Sequence, residues 1–108
     1  MSVTEVVEQL RRAHALLSEA RNAAVVAETA ISEGREIFDQ GTAGSVWPQV
    51  HEMRRLGAEA GDDVRLAHTA IVQAQDIIDG YCISIAGHGI GAGGRPGRVD
   101  VGSIAERR

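Results

Sequence analysis

The sequence contains no lysine; all 11 of its basic residues are arginine. These arginines follow no binding pattern, and their exclusive use fits the coding bias of a GC-rich genome. Large aromatics are nearly missing as well, with one Phe, one Tyr and one Trp in 108 residues. A small domain of this kind buries little apolar area, so a thin stability margin is expected. The single cysteine, Cys82, excludes an internal disulfide framework and a multi-cysteine zinc site. It is expected to pack as a small apolar residue rather than act as a nucleophile. No stretch is apolar enough over 18 residues to span a bilayer, so membrane insertion is not expected. No basic start followed by an apolar run marks a signal peptide. The default compartment is the cytoplasm, with secretion by a leaderless route as the alternative.

A basic face is also lacking. The formal charge is −4, which argues against nucleic-acid binding, because phosphate neutralisation needs clustered positive charge. Residues 1–86 carry 7 Arg against 13 acids, and residues 87–108 carry 4 Arg against 2. The acidic part reads as a solvated helical surface.

Two long helices are present. Ser2 and Glu5 form a capping box ahead of the first. Small and apolar residues then recur at alternating steps of three and four: Val3, Val6, Leu10, Ala13, Leu17, Ala20, Ala24, Ala27, Ile31, Gly34, Phe38. The alternation returns in Val50, Met53, Gly57, Ala60, Val64, Ala67, Ile71, Ala74, Ile78, Tyr81 and Ile85. Sustained this long, it is a coiled-coil signal. Larger residues mostly fill the first position of each heptad and Ala or Gly the fourth. In an antiparallel pair this layers Leu17 on Ala74, Ala20 on Ile71, Ala27 on Val64, Ile31 on Ala60 and Phe38 on Met53, large against small. Each helix would be about 55 Å long at the standard rise. The same register sets Gly34 against Gly57, and facing glycines suggest a close helix–helix approach, with a locally weak spot as the plainer account.

The segment "DQGTAGSVWPQV" joins the two runs. Gly41 suits a helix end, Ser45 a cap for the second helix, and Pro48 its first turn. Trp47 is expected to fold over Phe38 and Met53 and seal the hairpin end; exposed partner recognition is the competing reading. The expected fold class is therefore all-α. A hairpin covers residues 1–86, with a helix at about 3–40, a turn at about 41–47 and a helix at about 48–86. Residues 87–108, with seven glycines and a proline, read as a disordered Gly/Arg-rich tail. Within it "VDVGSI" could add an edge strand to another sheet.

A lone hairpin leaves apolar residues over. Leu16, Ala23, Ala30 and Ile37 make a second stripe on the first helix, and Leu56, Ala70 and Ile77 do so on the second. Their exposure would invite association, and two hairpins closing into a four-helix bundle is the expected outcome. Leu16, Ile37, Trp47, Leu56 and Ile77 are the candidate interaction surface, and the candidate partner is a second copy or a related hairpin.

Chemistry-bearing motifs are weak. "GIGAGG" at 89–94 fits a dinucleotide fingerprint, but a helix leads into it where a strand is required. His14, His51, His68 and His88 are not spaced for a shared helix face, so no metal is expected. Glu28, Glu33, Glu36, Asp62 and Asp63 are expected on outward positions, unlike the inward Glu-x-x-His of a di-metal bundle. An alanine-rich seam leaves no water-excluding pocket, so neither an enzyme nor a cofactor is expected.

Two long helices around a Trp-bearing turn resemble the Trp-x-Gly helical-hairpin family, whose members are substrates of type VII secretion in actinobacteria and relatives. The resemblance covers residues 2–86. In the turn, "WPQ" places Gln49 where the family has Gly. Tyr81 is followed four residues later by Ile85, where the family's export signal has an acid. The resemblance implies a dimeric helical bundle that works by protein–protein pairing, with export as a further implication. A cytoplasmic coiled-coil structural or regulatory adaptor is the alternative.

Overall fold

The computed structural model describes residues 2–90. Those residues form two helices that pack against each other, α1 (Val3–Gly41) and α2 (Pro48–Ala86), with no strand among them. No helix among the described residues is long and apolar enough to cross a membrane. The chain divides into two compact units, Ala15–Gln75 and a second whose described residues are 2–14 and 76–90.

In Ala15–Gln75 the turn is built from backbone and polar side chains. The Thr42 N–H and hydroxyl both donate to the Phe38 carbonyl, at 3.0 and 2.7 Å, satisfying an acceptor that the end of α1 leaves open. Ser45 N–H donates to the Thr42 carbonyl at 3.0 Å, and Gly44 takes a positive φ of 81° that a side chain would resist. α1 has no base in its own last turn. Arg54 of α2 supplies one: its Nε donates to Asp39 at 3.1 Å and its Nη2 reaches the Thr42 carbonyl and hydroxyl. A cation there meets the negative end of the helix dipole.

Two expectations for the turn are corrected. Ser45 does not cap the first turn of α2, because its hydroxyl accepts from Trp47 N–H, two residues on, at 3.3 Å. Trp47 itself occupies the position before Pro48, and its carbonyl accepts from Val50 and His51. Nor is Trp47 a lid. It is 68% exposed and Val46 80%. The end of α1 is closed instead by polar groups, through the bonds of Arg54 to Asp39 and Thr42.

The setting of the helices about their own axes also differs from the expected seam. The first heptad positions are half-buried as expected: Leu17, Ala24, Ile31 and Phe38 on α1, Val64 and Ile71 on α2. At the fourth positions Ala27, Ala60 and Ala74 are half-buried as expected, but Ala20, Gly34, Met53 and Ala67 are exposed. Several residues one further along come inward as well: Glu28, Arg35, Arg54 and His68 are half-buried, and Gly61 and Gln75 are buried. Cross-helix bonds accompany this polar setting. Gln75, only 4% exposed, donates from Nε2 to Ser18 at 2.8 Å and accepts from Arg21 at 3.0 Å. Glu28 is thus not outward-facing; it lies 3.5 Å from Arg65. Partial burial of long polar side chains is tolerated because their stems cover apolar surface while their heads reach partners or water.

In the unit of 2–14 and 76–90, the capping box is reciprocal. Ser2 N–H donates to Glu5 at 2.9 Å, and Glu5 N–H to the Ser2 hydroxyl at 3.1 Å. Val7 and Cys82 are buried, the latter completely, with Leu10, Ile78 and Ile85 half-buried around them. Gly87 ends α2 in a left-handed conformation, φ 80°, its N–H on the Ile83 carbonyl at 2.8 Å. The expected tail therefore does not begin as free chain at 87. Asp79 accepts from Ile90 N–H at 2.9 Å, holding residues 87–90 in a turn. A Cβ at Gly89 would sit 2.7 Å from that carboxylate. The rest of the expected tail, the "VDVGSI" stretch and most of "GIGAGG" lie outside the described residues.

Candidate interaction groove

One side of Ala15–Gln75 carries an apolar groove of about 480 Å³, to which both helices contribute. It is lined by Gly34, Gly57, Ala60, Ile31, Phe38 and Met53, together with Ile37, Leu56 and one charged residue, Arg35. Ile37 is 69% exposed and Leu56 47%. Sequence spacing explains the placement. Ile37 lies three residues after Gly34, and Leu56 three after Met53, so each belongs to the stripe beside the seam on its own helix.

The two glycines differ. A Cβ on Gly57 would lie 3.2 Å from Cγ of Arg35, so the arginine stem rests on this glycine, and the guanidinium Nη1 reaches to 3.6 Å of the corresponding point on Gly61. Glycine at 57, one turn before Gly61, makes a trough for an arginine from the facing helix. Gly34 is exposed and has nothing within 4 Å of where a Cβ would be. The expected close approach of Gly34 to Gly57 is corrected accordingly. Arg35 fills the space over Gly57, and Gly34 stands exposed in the groove lining.

Of the residues singled out in the sequence, Gly34, Ile37, Leu56 and Gly57 come together in this groove. Leu16 is exposed elsewhere in the same unit, Trp47 is exposed at the turn, and Ile77 is exposed in the other unit. Ile31, Phe38, Met53 and Ala60 also line the groove, although the sequence pattern assigned them to a closed seam. The pairing of Ile31 with Ala60 and Phe38 with Met53 was the available signal, since those layers open on the groove side.

The opposite side is polar. Ser18, Asp39 and Arg65 make their cross-helix bonds there, and a shallow hollow is lined by Ser32, Arg35, Glu36, Asp39 and Gln40. On the exposed surface of α2, Arg55 pairs with both Glu52 and Glu59. This holds the Glu52 carboxyl below its ordinary range, first by the hydrogen bond and then by the charge of Arg55. Among the described residues no three His, Cys, Asp or Glu side chains gather as metal ligands would. No protein-family model, curated protein or solved structure matches the chain.

Proposed function

We propose that this chain is a non-enzymatic helical hairpin that works by pairing with another protein through the apolar side of Ala15–Gln75. The carrying observation is the groove itself: Ile37 and Leu56 stand exposed in a lining that both helices supply, apolar apart from Arg35. Isolated exposed apolar residues are ordinary, but contiguous ones rimmed by polar groups mark interaction sites. A second copy or a related hairpin laid on this side would complete a four-helix bundle. The resemblance of the sequence to small type VII secretion substrates of the Trp-x-Gly class, two long helices around a Trp-bearing turn, makes export in that manner part of the proposal. Gln49 in the turn and Ile85 after Tyr81 favour a second reading, an adaptor that stays in the cytoplasm.

In-cell cross-linking tests the pairing. The wild-type chain should give a discrete adduct that disappears with Ile37→Gln plus Leu56→Gln and persists with Val26→Gln, an exposed site off the groove. An adduct indifferent to the groove substitutions would rule out this surface. Export is read separately, as loss of the protein from culture medium when the secretion apparatus is disabled; retention in every condition leaves the adaptor.

A further inference from the structure

The groove is apolar, but what surrounds it is acidic. Glu33 lies one turn before Ile37 on α1. Glu52 and Glu59 flank Leu56 on α2, and Asp63 follows Ala60 by one turn. All four are exposed. Most arginines of the unit are directed elsewhere: Arg21 to Gln75, Arg54 to Asp39, Arg65 to Glu28 and Asp62. Arg35 belongs to the groove lining, with its stem across Gly57 and its guanidinium reaching toward Gly61. Arg55 borders the rim, between Glu52 and Glu59.

A two-fold pairing of identical grooves would set these acidic rims against each other, with two arginines per copy, Arg35 and Arg55, to offset four carboxylates. Like charges juxtaposed across an interface disfavour the complex, while opposite charges steer the encounter and fix its register. An anionic lipid surface meets the same objection. The occupant that fits both features is a helix that offers apolar side chains at helical spacing and carries arginine or lysine along the edges of that stripe.

Resting on the pairing reading above, we propose that the groove receives a basic-edged amphipathic helix of a different protein, and not a second copy of this chain. Such a helix would seat its apolar stripe between Ile37 and Leu56 over Gly34 and Ala60, with its basic edges against Glu33 on one side and Glu52, Glu59 and Asp63 on the other.

The test uses the full chain and two synthetic helices that share one Leu/Ala stripe, one edged with arginine and the other with glutamate. Titration calorimetry should show the arginine-edged helix binding at least about tenfold more tightly at about 0.05 M salt, with the gap closing at about 0.5 M as screening shortens. Ile37→Gln plus Leu56→Gln should abolish binding of both helices. Glu33→Lys plus Asp63→Lys, at exposed helix positions that leave the helical signal intact, should reverse the preference. Light scattering of the chain alone should give one 11.4 kDa mass across a dilution series.

Equal binding of the two helices, or binding of neither, overturns the proposal. So does a dimer of this chain that cross-links through cysteines placed at position 37 of both copies. In that last case the pairing reading stands and only the basic partner falls. If neither helix binds and in-cell adducts ignore the groove substitutions, both fall.

Discussion

The two sides of the Ala15–Gln75 hairpin solve different problems with the same heptads. On the polar side the helices are tied across the seam by Gln75 with Ser18 and Arg21, by Arg65 with Glu28, and by Arg54 with Asp39. On the other side, both helices expose apolar residues in a groove that Gly34, Gly57 and Ala60 also line. The polar side therefore carries the bonds between the helices, and the apolar side is the surface that the proposed pairing would use. Substitutions on the two sides should separate folding from pairing.

The largest effect on folding belongs to Gln75. Replacing it with alanine removes the acceptor for Arg21 and the donor to Ser18 inside a nearly closed layer, and should cost about 1–3 kcal/mol in urea unfolding. A change below about 0.5 kcal/mol would mean that these bonds do not hold the seam. On the apolar side, Ile37→Gln and Leu56→Gln change side chains that stand exposed. Each should move unfolding by no more than about 0.5 kcal/mol while abolishing association. Substantial unfolding would show that the groove lining belongs to the core.

Gly34 and Gly57 sharpen the comparison within one helical layer. Gly34→Ala meets open space and should stabilise α1 by up to about 1 kcal/mol, the helix propensity gained over glycine. Gly57→Ala gains the same propensity but places its Cβ 3.2 Å from Cγ of Arg35, whose stem must shift. Its stability should therefore rise less than that of Gly34→Ala, as read from the thermal midpoints of the two variants. Equal gains would show that the arginine stem yields freely.

Much of the hairpin was legible from spacing. The three-four alternation marks two helices, and Ser2 with Glu5 marks the start of the first. The rotational setting was not legible, and the reason is physical. Each helix carries an apolar stripe wider than one seam, so its periodicity does not say which edge of the stripe faces inward. Which edge faces inward within one chain was decided by groups that periodicity scores as polar. Arg35 fits the trough over Gly57 and Gly61, and Gln75 finds Ser18 and Arg21. Of the residues that the spacing ranked as core in this unit, Leu17, Ile31, Val64 and Ile71 turn inward, but Gly34 and Met53 are left on the surface. Leu16, Ile37, Leu56 and Ile77 were recognisable as surplus, but only the packing shows that Ile37 and Leu56 share a groove. Trp47 was misjudged because the polar closure by Arg54 depends on contacts across the turn.

The smallest effect lies in the other unit, where a cap can be tuned by pH without touching either side of the hairpin. Glu5 is held below its ordinary carboxyl range, first by the Ser2 backbone N–H and then by the Ser2 hydroxyl. Unfolding releases those bonds and returns the group to its ordinary value. A carboxyl depressed in the folded state contributes stability that is fully present above its unfolded pKa and lost as pH falls through the folded one. Ser2→Ala should cost about 1 kcal/mol or less at neutral pH, the usual worth of an N-cap. Its deficit should shrink as the pH drops below the ordinary glutamate range, because protonation takes from the wild type part of what the substitution has already removed. Urea titrations of both proteins at neutral and strongly acidic pH would read the difference. A deficit that stays constant would mean that the cap works through the serine hydroxyl alone, with the Glu5 carboxylate contributing nothing to it.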